Sequence, residues 1–246
     1  MNKETNLALV KETANALLWC DIAPTPYAPM IVSHPFTNTG IVAIMGNDGN
    51  PQMLDLTKDA DLSRWRQALQ DQISEAKDVL DVYRLFNKPY LMVFLHHAQP
   101  FLSTDDFSSL LADAWVRTEA PHNDPNFTRE DLLDLFLAAD KHVLMDESEY
   151  AEYEALDDPV TMYRGVTPYN ADSVDALSWS LSYDTAKWFS QRFGQNGTVY
   201  SAEISKEHIF ALFNSRNEAE VIVDPAELMH ITPVDDIDEG FGQTLC

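Results

Sequence analysis

Three short stretches in the C-terminal half of the chain hold side chains able to act together on a phosphorylated sugar: Tyr163-Arg164-Gly165, Ser178-Trp179-Ser180 and Glu218-Ala219-Glu220. A guanidinium is permanently charged and forked, so Arg164 suits a phosphate. Gly165, lacking a side chain, leaves backbone open to close approach. Neighbouring strand side chains point to opposite faces, which puts Ser178 and Ser180 together and turns Trp179 away. The same alternation sets Glu218 and Glu220 on one side at the entry to Val221-Ile222-Val223, where acids are out of place in a plain core strand. Breaking a glycosidic bond to ribose builds positive charge on the sugar, and that demands a carboxylate against the ring and a cation for the attached phosphates.

The ordered arginine, serine pair and Glu-x-Glu resemble the Arg-Ser-Glu signature of mono-ADP-ribosyltransferases. The family writes the middle element as Ser-Thr-Ser, followed by leucine, several polar residues and an alanine that opens a helix. Ser178-Trp179-Ser180-Leu181-Ser182-Tyr183-Asp184-Thr185-Ala186 keeps both serines, the leucine and the alanine in register, with Trp179 in place of threonine. The resemblance spans Tyr163 to Val223. It implies that NAD is the substrate, that Arg164 engages the dinucleotide, and that the Gly165 backbone hydrogen-bonds the nicotinamide amide. It further implies that Ser178, supported by Ser180, orients a catalytic Glu220 that binds the nicotinamide ribose. Glu218 would orient or deprotonate the acceptor, a pairing commonest in members that modify arginine. Phe213 and Arg216, in the turn before the acids, fall where similar enzymes recognise their target protein, although a turn with one buried aromatic explains Phe213 equally well.

The implied fold is α+β, with a split antiparallel sheet fronted by helices over residues 89–246 and an accessory α/β region over residues 1–88. Residues 5–19 read as a helix that Pro24-Thr25-Pro26 terminates. Met30–Ser33, Gly40–Met45 and Gln52–Leu56 read as a small antiparallel meander turning at Asn47-Asp48-Gly49-Asn50. Leu62, Trp65, Leu69, Ile73, Ala76, Leu80 and Tyr83 recur at helical spacing and predict one long amphipathic helix. Asn87-Lys88-Pro89 ends it and marks a domain boundary near residue 88, and Tyr90–Leu95 is a continuous apolar run suited to a buried strand or short core segment.

Helix-start chemistry at Ser103 and Thr128 opens helices to about Arg117 and over Leu132–Ala139, separated by a loop at Pro121–Asn126. Seven carboxylates between Asp146 and Asp158, interleaved with Tyr150, Tyr153 and Leu156, predict the solvated face of a surface helix. Strands follow at Val160–Val166, Ala176–Ser180, Thr198–Ile204, His208–Phe213 and Glu220–Val223. One helix from Tyr183 to Phe193, started by Ser182 and stopped by Gly194, interrupts them.

Composition narrows the partners. With 16 Lys plus Arg against 40 Asp plus Glu, the net charge of −24 disfavours nucleic acid and favours a basic protein target or plain solubility. Cys20 and Cys246 lack the spacing of a metal or redox pair, and His96-His97 would diverge on a strand, so no metal is expected. Lys11 and Glu12 interrupt the early apolar stretch, which argues against a signal peptide or membrane span and for a cytoplasmic protein. The functional expectation is transfer of ADP-ribose from NAD to a protein side chain, arginine above others, with release of nicotinamide. Its rivals are an NAD glycohydrolase and a non-catalytic acidic protein that binds a basic partner.

Overall fold

The computed structural model describes residues 3–46, 49–118, 124–170 and 174–234. Cys246, Asn47-Asp48 of the expected turn and residues 121–123 of the expected loop lie outside them. The chain is α+β and divides into two compact units, Met1–Thr128 with Ala138–Leu144 and Arg129–Leu137 with Met145–Cys246.

In the first unit, helix α1 (Leu7–Leu18) starts where Asn6 accepts a hydrogen bond from the Leu9 amide, and its four-residue repeat of Val10, Ala14 and Leu18 is buried. Strand β1 (Ala23–Pro24) pairs with β2 (Val32–Ser33), and β3 (Ile41–Met45) forms a hairpin with β4 (Pro51–Asp55). The expected three-stranded meander is therefore two separate ladders, because residues 32–33 find their partner upstream.

The single long helix is also two: α2 (Asp59–Glu75) stops at Ala76, whose ψ of 134° is extended, and α3 (Val79–Tyr83) restarts. Asp78 causes the break, since its carboxylate caps the new helix by accepting from the Asp81 amide. The phase shift carries Leu80 to the surface and buries Val79, Val82 and Tyr83.

The apolar run after Pro89 is helix α4 (Leu91–Ala98). The run is apolar without interruption from Tyr90 to Leu95 and its first polar side chains, His96 and His97, come only at the end, so the sequence shows no helical phase there, while Pro89 in the preceding turn presets helical φ. His96 and His97 thus sit on a helix; both are exposed, and among the described residues no cluster suits a metal. Helix α4 packs on α1 and on α5 (Thr104–Arg117), and Asn87 donates to Pro35 O, so the expected boundary at residue 88 falls inside one core.

Among the described residues, the second unit is built on a six-stranded antiparallel sheet. Its strands are β5 (Val160–Val166), β6 (Ser178–Ser180), β7 (Thr198–Ile204), β8 (Ile209–Phe213), β9 (Glu220–Val223) and β10 (Met229–Val234), in the order β10-β7-β5-β6-β9-β8. Central strand β5 pairs with β7 along its whole length but meets β6 only at Tyr163 opposite Ser180. The sheet therefore opens beside Arg164 and Ser178.

Following α6 (Arg129–Leu137) and, in the first unit, α7 (Lys141–Leu144), α8 (Glu147–Glu154) packs on β8. Helix α9 (Tyr183–Ser190) packs on β5, β6 and β7. Ser182 caps α9 as its type predicts, yet the helix ends at Ser190 rather than Phe193, with Gln191 leaving helical geometry at φ −101° and ψ 2°. Edge strand β10 gave no signal in the sequence: it is mostly exposed and contains Pro233, so it carries no apolar alternation. Among the described residues no helix is long and apolar enough to cross a membrane.

Candidate functional site

All three sequence stretches meet in the second unit. Alternation on β5 buries Val160, Met162 and Val166, and Arg164 occupies the remaining place in that row at 8% exposure. Its Nη1 donates to the backbone oxygen of Ser178 across the opening between β5 and β6. Burial pushes this guanidinium down to about 10, opposed by the nearby charge of Glu220, pushed further by Arg129 and again opposed by Asp175, so it stays cationic at neutral pH.

Gly165 turns out to be required by packing. A Cβ there would lie 2.0 Å from Ala186 O and 2.6 Å from Ser190 N, so helix α9 seats directly on the glycine. The close approach expected of a ligand is made on that side by a helix.

Strand β6 sits between β5 and β9, with Ser180 opposite Glu220 and Ser178 opposite Ile222. Ser178 Oγ donates to Glu220 Oε1 at 2.5 Å. Ser180 Oγ donates to Glu218 O at 2.6 Å and accepts from the Ser182 amide at 3.0 Å, which ties the carboxylate turn to the start of α9. Trp179 is buried and donates from Nε1 to Ala176 O, so the residue that departs from Ser-Thr-Ser packs in the core and leaves both hydroxyls in place.

The two acids converge through a residue expected to do something else. Arg216 Nη2 lies 2.9 Å from Glu218 Oε2 and 2.9 Å from Glu220 Oε2. Strand alternation does not produce this convergence, because β9 begins only at Glu220 and Ala219 has φ of 42°. Glu220 is 7% exposed, and both its carboxylate oxygens are engaged, one by Ser178 and one by Arg216. Phe213, expected at the target surface together with Arg216, is 4% exposed on β8 opposite Glu220; it is a core side chain.

A second cation stands near Arg164 that no sequence motif marks. Arg129, at the start of α6, forms a two-pronged ion pair with Asp175 at 2.8 and 3.2 Å, close enough to Arg164 for its charge to be felt there. Arg129 holds the Asp175 carboxyl below its ordinary range, with a smaller contribution from Arg164. Arg129 directly follows the helix start at Thr128, and no spacing pattern links it to Asp175, 46 residues away. The assembled group is a buried arginine beside an exposed one, two hydroxyls and two carboxylates bridged by a guanidinium, a set able to bind anionic phosphate and to oppose developing positive charge.

No family model, curated protein or solved structure matches this chain.

Proposed function

We propose that the protein is an NAD-dependent mono-ADP-ribosyltransferase, of the ADP-ribosyltransferase α+β fold, that modifies a protein side chain, arginine above others. The observation that carries this reading is the hydrogen bond from Ser178 Oγ to Glu220 Oε1, which joins two of the three stretches across 42 residues, while Arg164 bonds the backbone of the same serine. The opening of the sheet at that place also supports it.

The donor set fits the dinucleotide. Arg164 and Arg129 supply cationic donors for the pyrophosphate, and Glu220 supplies the acceptor for ribose hydroxyls once Arg216 is exchanged away from Oε2. In the reaction the ribose C1′–nicotinamide nitrogen bond breaks, and its electron pair goes to the nicotinamide ring, which leaves neutral. Glu220 opposes the positive charge that grows on the ribose. The acceptor nitrogen then bonds to C1′ and loses its proton to Glu218, whose Oε2 already holds a guanidinium at 2.9 Å.

Incubating the protein in a bacterial lysate, with NAD labelled either on nicotinamide or on adenylate, tests the reading. Nicotinamide release with adenylate label on protein is the expected result. Free ADP-ribose alone would instead mark a glycohydrolase, and no cleavage in either format would refute the assignment.

A further inference from the structure

Glu149 is out of character for its neighbourhood. It belongs to the acidic run that the sequence presents as a solvated face, yet it is 7% exposed. A buried carboxylate is costly unless hydrogen bonds compensate its lost hydration. One such bond is local: Oε2 accepts from the Asp146 amide at 3.1 Å and completes the capping box of α8. Glutamine satisfies that motif equally well, so the cap does not by itself call for a charge. The second bond is remote: Oε1 accepts from the Asn214 amide at 2.8 Å, across 65 residues.

Asn214 opens the turn that carries the acids. Its backbone oxygen accepts from the Asn217 amide at 2.8 Å, and its side-chain Oδ1 accepts from the Ala219 amide at 3.2 Å. Ala219 lies between Glu218 and Glu220, and its oxygen accepts from the Leu181 amide. The turn holds two non-glycine residues in the left-handed region, Asn217 at φ 54° and Ala219 at φ 42°. Such conformations persist where the surroundings over-determine them. The chain of bonds from Glu149 through Asn214 to Ala219 supplies that determination.

We propose that Glu149 and Asn214 are positioning residues that set the relative placement of Glu218 and Glu220 from outside the site. Neither has to touch a substrate. The proposal takes its functional sense from the transferase reading, while the structural link stands independently of it. Glu149→Gln retains the shape but offers one acceptor oxygen to two amides that bond different oxygens of the carboxylate. Asn214→Ala removes the acceptor for Ala219 and leaves the Asn214 amide in place, whereas Asn214→Asp keeps an oxygen there.

The test measures amide hydrogen exchange at Asn214 and Ala219 together with nicotinamide release from NAD. In folded Glu149→Gln, exchange at both amides should accelerate about tenfold or more with protection in β5 and β7 unchanged. The rate kcat should fall about tenfold while KM for NAD stays within about twofold, since misplacing the acids acts on the transition state. Asn214→Ala should accelerate Ala219 exchange and lower kcat in the same way, and Asn214→Asp should restore both; this pair decides the matter if Glu149→Gln does not fold. Parent-like Ala219 exchange in the folded variants would overturn the proposal, as would accelerated exchange with parent kcat. If the parent itself releases no nicotinamide, the transferase reading fails, and Ala219 exchange alone then upholds or refutes the link from Glu149.

Discussion

Replacing Glu220 by glutamine separates its charge from its shape. In the folded protein Glu220 accepts from Ser178 Oγ at 2.5 Å through one oxygen and from Arg216 Nη2 at 2.9 Å through the other. Glutamine can keep its oxygen toward Arg216 and donate from its amide to Ser178, because a hydroxyl serves as donor or acceptor. Arg216 also retains Glu218 at 2.9 Å. The loss to the fold is the difference between charged and neutral hydrogen bonds, together with an opposite charge for buried Arg164, on the order of 1–3 kcal/mol. Turnover should suffer more. A charged hydrogen bond contributes about 1.5–3 kcal/mol, which is about one to two orders of magnitude in rate. A full charge about 4 Å from the forming cation, at an effective dielectric of about 20, raises the loss toward three orders. Nicotinamide release under single-turnover conditions measures the rate, and circular dichroism with a urea melt checks the fold. A folded Glu220→Gln protein that turns over within about threefold of the parent would refute the role given to this carboxylate.

Other perturbations address different parts of the molecule. Gly165→Ala drives a Cβ to 2.0 Å from Ala186 O, so α9 must shift on β5 and the urea midpoint of the second unit should fall by the equivalent of about 3 kcal/mol; an unchanged midpoint would refute the packing role. Arg216→Ala releases Glu220 Oε2 and removes the cation expected to face the target protein, so the ratio of free ADP-ribose to protein-linked label should rise several-fold, and a parent-like ratio would count against Arg216 in target recognition. Burial holds the His34 imidazole down at about 4; its contacts with the Cys20 and Leu18 backbone pull upward, and the Arg66 charge pushes down. Below pH 6.5 the unfolded chain takes up a proton that folded His34 refuses, so stability present above pH 6.5 is lost as pH falls toward 4, by about 3 kcal/mol. Urea melts of parent and His34→Asn, which keeps an acceptor for the Phe36 amide in place of Nδ1 and does not titrate, should diverge across that window; parallel pH profiles would refute the assignment.

Much of the fold was legible because local physics dominates where patterns are clean. The buried repeat of α1, the β3–β4 hairpin, the Ser103 and Ser182 caps and strands β5, β7, β8 and β9 all follow from periodicity and cap chemistry. Where a segment is apolar without interruption, as over the first turns of α4, or exposed on most sides, as in β10, no alternation exists to read. Asp78 shows a third case: its cap competes with a helical phase that the apolar residues alone would continue to Tyr83.

For the site, the sequence alone determined the residue types and the strands bearing Arg164, Ser178 and Ser180, and alternation along β6 turned Trp179 into the core. Only the tertiary structure decided who meets whom. Ser178 reaches Glu220 because β6 and β9 pair in one register, Arg216 closes on both acids because Ala219 turns left-handed, and Glu149 leaves its acidic face because Asn214 offers it an amide. A hydrogen bond is decided over tenths of an ångström, and spacing along the chain carries no such information for residues 42 or 65 positions apart.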